Sequence, residues 1–267
     1  MHLNIWLWGN KLQSLVISLK TASDRRKHIE AQFGRQNINF QFFDALTPNL
    51  ARPLAEKMGL NISDEYLSPG ELACFMSHVS IWQKMVDEEI PYLAIFEDDV
   101  YLGEQAHSIL NSSEWIHGDW DIIKIEAFAD KLFLMKDVSF IKNTQRSIRK
   151  LKGKNLGTAG YILSLNGAKT YLKYIASRSL IPLDEMMFDV FIKEKIDSVF
   201  QLCPAVCIQE TKLYPSIQNT LTSELLVERK ARMKKQKKKG WLKVKLEILR
   251  IFTQLRYMLV GKKAEFR

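Results

Sequence analysis

The sequence predicts an α/β fold in which a largely buried open sheet gathers charged residues at its carboxyl edge. Three observations predict it. The apolar run Tyr92-Leu93-Ala94-Ile95-Phe96 passes without a break into the carboxylates Glu97-Asp98-Asp99, as a buried strand does when it delivers charge to the sheet end where ligands bind. A β-branched run, Leu15-Val16-Ile17-Ser18-Leu19, is followed by a helical pattern carrying Ile29 and Phe33 and then by Phe40-Gln41-Phe42-Phe43, the strand–helix–strand opening of a nucleotide-binding sheet. An apolar content of 46% over 267 residues can fill the core of one sizeable domain.

The acidic run raises the first chemical question. Three adjacent carboxylates repel one another, and a hard divalent cation with oxygen preference relieves that repulsion. A solvated acidic turn is the other reading, so the surroundings have to decide.

Along the chain, Ser23 or Asp24 is placed to cap the first helix. Arg25 and Arg26 follow just past the first strand, either as donors to a pyrophosphate or as a solvated helical turn. Thr47-Pro48 starts a short helix that Gly59 can stop. Ser68-Pro69-Gly70-Glu71 has the pattern of a capping box with proline at the first helical position. Leu72, Phe75, Met76, Val79, Trp82 and Val86 then recur at helical spacing, so this helix lies on the sheet. His78 borders that face and reads as a core-edge histidine or a substrate donor.

Trp120 to Glu126 reads as a further strand ending in acid, which makes Glu126 a second carboxylate at the same edge. The segment from Lys142 to Lys154 holds six basic residues and no acid, and is expected to be a mobile positive loop, either suited to a phosphorylated acceptor or product or only solvated. Gly157-Thr158-Ala159-Gly160 lets backbone approach a ligand, or serves packing. Asp184, in Pro182-Leu183-Asp184-Glu185, is either a helix-start residue or a general base. The strand Val199–Cys203 leads on to Gln209 and Glu210, which can return to the site.

Charge is unevenly placed. Of 39 Lys and Arg and 30 acids, 15 and 3 lie from Glu228 onward, so the net +9 belongs to the tail. The polybasic run there carries no interleaved aromatic, which argues against nucleic acid. Positions 244, 248, 251, 252, 255 and 259 form one apolar helical stripe behind it, the make-up of a segment that binds an anionic membrane surface. No run reaches the ~18 apolar residues of a spanning helix. Met1 to Gly9 lacks the basic start and cleavage site of a signal peptide. Cys74, Cys203 and Cys207 are odd in number and show no metal-ligand spacing, which points to reduced thiols in a cytoplasmic setting.

These blocks, in this order, resemble glycosyltransferase family 25, and within it the bacterial lipooligosaccharide β-1,4-galactosyltransferases. The resemblance rests on Val16 to Leu19 with Arg25-Arg26, Phe42-Phe43-Asp44-Ala45-Leu46, Glu71 to His78, Pro91 to Val100, Gly157 to Ile162, Asp184 with Met186-Met187-Phe188, and Pro204-Ala205 with Gln209-Glu210. It implies a GT-A type, Rossmann-like domain over 15–225, between an extension (1–14) and a basic helical tail (226–267). It further implies an inverting transferase moving galactose from UDP-galactose to a terminal glucose or N-acetylglucosamine of lipooligosaccharide. A glucosyl- or N-acetylglucosaminyltransferase is the alternative within the class; a metal-dependent phosphoesterase and a polyanion-binding protein are the rivals outside it.

In that resemblance Asp99 would ligate Mn²⁺ or Mg²⁺ bridging the UDP phosphates, and Glu97 would contact the ribose or a metal-bound water. Ser18, Arg25, Arg26 and Asp98 would line the nucleotide. His78, Thr158, Gly160, Gln209 and Glu210 would position substrate, and Asp184, with Glu126 second, would be the base. The family's motif begins with Asp where Glu97 stands here. The place implied is the inner face of the cytoplasmic membrane, with the tail as the peripheral contact.

Overall fold

The computed structural model describes residues 11–215, Arg229, Arg232 and 260–267. The apolar start at 1–9 and the tail's helical stripe lie outside the described residues. Strands β1 (Gln13–Ser18), β2 (Gln41–Asp44) and β3 (Tyr92–Glu97) open the chain, with helices α1 (Ser23–Gly34), α2 (Pro48–Lys57) and α3 (Pro69–Asp87) between them. Next come β4 (Val100–Leu102), α4 (Ala106–Leu110), β5 (Ile122–Lys124), β6 (Glu126–Ala127), β7 (Lys131–Leu132), β8 (Ser139–Phe140) and β9 (Ser147–Lys150). The rest are β10 (Gly160–Ser164), α5 (Leu165–Ala176), β11 (Val199–Cys203), β12 (Cys207–Gln209) and β13 (Lys262–Lys263).

The result is a mixed α/β fold. An eight-stranded sheet runs in the order β2-β1-β3-β10-β5-β11-β9-β8, and a small sheet, β4-β12-β6, stands beside it. β1 is parallel to β2 and β3, while β10 lies antiparallel between β3 and β5. Along each central strand alternate residues point to opposite faces. Leu15, Ile17, Leu93 and Ile95 join the core under α3 and α5, and Val16, Ala94 and Phe96 join the core under α1 and α4.

The third helix has the capping box its sequence implies. Ser68 accepts from the Glu71 backbone N–H, and the Glu71 carboxylate accepts from that of Ser68, at 3.2 and 3.0 Å. Its expected stripe is buried from Leu72 to Trp82, with Val86 at the border. In α1 the helix begins at Ser23 behind Ala22, and neither Ser23 nor Asp24 caps it with its side chain. The first strand begins at Gln13, which pairs with Leu93.

Two further expectations are corrected. Trp120–Glu126 is not one strand: β5 ends at Lys124, and β6 turns off into the small sheet, where Glu126 sits opposite Cys207. Nor is 142–154 a loop throughout. β9 pairs antiparallel with β11, and Arg146 is buried with its guanidinium donating to the carbonyls of Pro204, Ala205 and Glu104. A guanidinium has five donors, and here they satisfy backbone acceptors rather than a phosphate. No helix among the described residues is long and apolar enough to cross a membrane.

Phe75 is wholly buried in the core between α3 and the sheet. Phe75→Ala is expected to destabilise the protein by about 3–5 kcal/mol, read as a lower denaturation midpoint at unchanged m-value.

Candidate active site

β3 releases three carboxylates in a row at the carboxyl edge, and each meets a partner from a different part of the chain. Glu97 accepts a hydrogen bond from Thr158 Oγ1 at 2.6 Å, and His78 Nε2 stands 3.7 Å from the same oxygen. Asp98 is ion-paired with Arg25 of α1. Asp99 accepts from Gln209 Nε2 at 3.2 and 3.4 Å, and its backbone carbonyl accepts from the Glu210 N–H at 3.0 Å. Gln209 and Glu210 therefore do return to the acidic run. Tyr101 donates to the Glu210 carboxylate at 3.4 Å.

Crowding shows in the protonation equilibria. Burial first, and then the Glu97 charge beside it, push Asp99 up to about 7. Burial also pushes Glu97 up, but its contacts with His78 and Thr158 and the charge of Arg25 leave it below the ordinary glutamate value.

Arg26 is directed elsewhere. Its guanidinium donates to the Ser18 and Leu19 carbonyls at 3.0 and 3.1 Å and to Asp44 at 2.6 Å, and lies 4.6 Å from the centre of the Phe42 ring. It fastens the ends of β1 and β2, while Arg25 alone of the pair meets the acidic run. The Ser18 hydroxyl is buried and donates to the Leu19 carbonyl at 3.4 Å.

Glu126, the second carboxylate of the sequence reading, is 0% exposed. It accepts from Lys124 Nζ at 2.7 Å and from the Ala159 N–H at 3.2 Å, and its Oε1 has no hydrogen-bond partner among the described residues. Lys124 also donates to the Gly157 carbonyl and lies 4.4 Å from the centre of the Phe188 ring. The pair thus grips the loop from both ends and holds Thr158 over Glu97. Gly157 has φ +88°, and a Cβ there would stand 2.6 Å from Glu126 Oε1; a Cβ at Gly160 would strike the Cys207 sulfur. Both glycines serve packing. Glu126 is sealed beneath this loop and is not presented at the open edge.

Asp184 stands in the first turn of the short helix Leu183–Glu185, and its carboxylate accepts from the Glu185 N–H at 3.0 Å. It also faces Arg229, whose Nη2 donates to both carboxylate oxygens at 3.0 and 3.3 Å. One turn on, Arg232 forks onto Glu71 at 2.7 and 2.9 Å. These two arginines of the basic tail are therefore engaged with the domain. Burial, then the charges of Glu97, Asp184, Asp99 and Glu71, push the Cys74 thiol well up.

The sequence profile of glycosyltransferase family 25 (LPS biosynthesis protein) matches residues 11–187. The chain belongs to this family. The lipooligosaccharide biosynthesis protein lic2B of Haemophilus influenzae is 40% identical over 233 residues, which cover 84% of this chain and 85% of that protein. The lacto-N-neotetraose biosynthesis glycosyltransferase LgtE of Neisseria gonorrhoeae is 38% identical over 209 residues, 74% of each chain. Among solved structures, a glycosyltransferase involved in glycosylation of the major capsid of PBCV-1 superposes at a TM-score of 0.35 and 8% identity, over 84% of this chain and 98% of that one. That likeness is too loose to carry detail. Membership makes the chain a glycosyltransferase with a nucleotide-sugar donor, and sets aside the phosphoesterase and polyanion-binding rivals.

Several residues around the acidic run escaped the sequence reading. Cys74 lies beside the acidic run, although no metal-ligand spacing was seen among the cysteines. It precedes His78 by four positions on α3, so helical spacing puts both on one face, and that signal was available. Lys124, Arg229 and Arg232 reach the site through long-range contacts that no local pattern records.

Burial, against the pull of Lys124, pushes Glu126 from 4.5 up to about 7. Folding therefore favours the protonated carboxyl: its contribution to stability is fullest below about 4.5 and is lost as the pH rises toward about 7. Glu126→Gln is expected to flatten this descent, read as denaturation midpoints across that window. Parallel wild-type and variant curves would refute it.

Proposed function

We propose that this chain is an inverting, GT-A type galactosyltransferase that moves galactose from UDP-galactose onto a terminal glucose or N-acetylglucosamine of lipooligosaccharide in a β-1,4 linkage. The observation that carries the reading is the convergence of Glu97, Asp99, Thr158 and Gln209 at the carboxyl end of β3.

A divalent ion fits there. The Asp99 carboxylate accepts from the Gln209 amide, and burial with the Glu97 charge beside it pushes it up to about 7; hard oxygen ligands that resist carrying charge together suit Mn²⁺ or Mg²⁺. Asp99 and Glu97 would hold it, and when bound it supplies Lewis-acid stabilisation of the departing nucleoside diphosphate. Gln209 orients the Asp99 carboxylate, and Thr158 that of Glu97. Arg25, held at the edge by Asp98, adds positive charge on the leaving-group side.

Inversion requires a base on the acceptor side. Asp184 is assigned that role: an acceptor hydroxyl gives it a proton while the oxygen attacks the sugar carbon. Arg229 now occupies this carboxylate, so the acceptor hydroxyl has to take its place. Glu126, sealed behind the Gly157 loop, is set aside as a base. Arg26 and Ser18 shape the β1 end, and Gly160 gives room for Cys207. His78 and Glu210 act through the carboxylates and strands they brace.

The tail is assigned to the inner face of the cytoplasmic membrane, where a lipid-linked acceptor is found in two dimensions. Polybasic residues near an anionic surface add about 1 kcal/mol each.

Incubated with Mn²⁺, UDP-sugars and a soluble glycoside ending in glucose or N-acetylglucosamine, the protein is expected to release UDP only with acceptor and fastest from UDP-galactose. Asp184→Asn should lower turnover by about 10²–10⁴-fold, and Asp99→Ala should abolish it. Release that ignores the acceptor overturns the transferase reading; preference for another donor changes only the sugar.

Removing divalent ions with a chelator should stop transfer, and Mn²⁺ should restore it; full activity in the chelator would refute the ion's role.

Replacing Lys234, Lys235, Lys237, Lys238 and Lys239 with glutamine leaves Arg229 and Arg232 on their carboxylates. Vesicle binding and turnover of a lipid-linked acceptor should fall while turnover of the soluble acceptor holds. Equal losses on both acceptors would remove the membrane role.

A further inference from the structure

We infer that Cys74, His78 and Glu97 form a second metal site, one that takes a borderline-soft ion of the zinc class rather than the hard ion assigned to Asp99. The thiol sulfur, an imidazole nitrogen and a carboxylate oxygen lie within 4.8 Å of one another. Cys74 and His78 are one turn apart on α3, and Glu97 closes the group from the end of β3.

The histidine is what marks this group as a ligand set. His78 is 0% exposed, and its Nε2 has no hydrogen-bond partner among the described residues. A buried ring nitrogen without a partner costs free energy, and this one is aimed at Glu97 Oε1, 3.7 Å away. Its other nitrogen is already held: Nδ1 stands 2.9 Å from the Tyr161 hydroxyl, and Trp82 Nε1 donates to that same hydroxyl at 2.9 Å. Metal-binding histidines have this arrangement, one nitrogen fixed by an outer partner so that the other presents its lone pair. The tautomer with the proton on Nδ1 is the one that binding selects.

Zinc-class ions hold nitrogen and sulfur at about 2.0–2.3 Å, which puts tetrahedral ligand atoms roughly 3.3–3.8 Å apart. Rotation of Cys74 and Glu97, the two partly exposed members, closes the remaining gap, and a water from the open side completes the four. Thiolate and imidazole select Zn²⁺ and Co²⁺ over Mn²⁺ and Mg²⁺. As the metal–sulfur bond forms, the thiol gives its proton to solvent. Glu97 is shared with the hard-ion site, so occupancy of this site withdraws it from that ion.

The full chain, freed of metal, is titrated with Co²⁺. The wild type is expected to develop a thiolate-to-cobalt charge-transfer band that Zn²⁺ removes and excess Mg²⁺ does not. Cys74→Ser and His78→Gln should lose the band, and Cys203→Ser should keep it. The wild type also serves without any variant: Zn²⁺ should slow alkylation of Cys74, followed by peptide mass, by about tenfold or more, since the bound thiolate is not free to react. Both readouts are independent of transferase activity. Absence of a band in the wild type, a band that survives Cys74→Ser, or unchanged alkylation of Cys74 under zinc would each overturn the assignment.

Discussion

Three carboxylates cannot leave one strand end side by side unless something answers each of them. Burial raises the cost of every charge there, and the chain responds by bringing Arg25 from α1, Thr158 from the loop before β10, His78 from α3 and Gln209 from β12 to the same edge. Much of the tertiary arrangement around the site follows from this demand. β10 must run antiparallel beside β3 so that Thr158 arrives over Glu97, and β12 must leave the main sheet and pair with β4, just past Asp99, so that Gln209 arrives at its carboxylate.

Behind that edge lies a deeper layer. The Lys124–Glu126 pair holds the Gly157–Gly160 backbone by its carbonyl and its N–H. Removing one member of a buried pair strands the other, so this pair ties loop position to core integrity. The loop can lie so low only because Gly157 tolerates φ +88° and carries no Cβ against Glu126. The Thr158 hydroxyl on Glu97 is thereby positioned by a wholly buried Lys124–Glu126 pair.

On the open side, the tail's arginines alter how the domain and its C-terminal segment relate. Arg229 lies on Asp184 and Arg232 on Glu71, and Glu71 is also the third residue of α3, which closes its capping box. Basic character that looks like surface charge in the sequence is, at these two positions, matched to carboxylates of the domain. Interactions of guanidinium with two carboxylate oxygens are directional as well as electrostatic, which suits a segment that has to find one place.

The sequence by itself determined the elements whose signals are local. The apolar run into Glu97-Asp98-Asp99, the capping box at Ser68 and the stripe from Leu72 to Trp82 are periodic or adjacent patterns, and each stands in the fold where its pattern puts it. The basic segment around Arg146 misled for the same reason: charge in sequence says nothing about which backbone carbonyls will surround it. Glu126 was legible as a carboxylate after a strand but not as a sealed one, because burial depends on a loop thirty residues away. Only the tertiary structure decided which charges meet, since hydrogen bonds and ion pairs between distant segments depend on strand order and register, and neither is written in any short window of the chain.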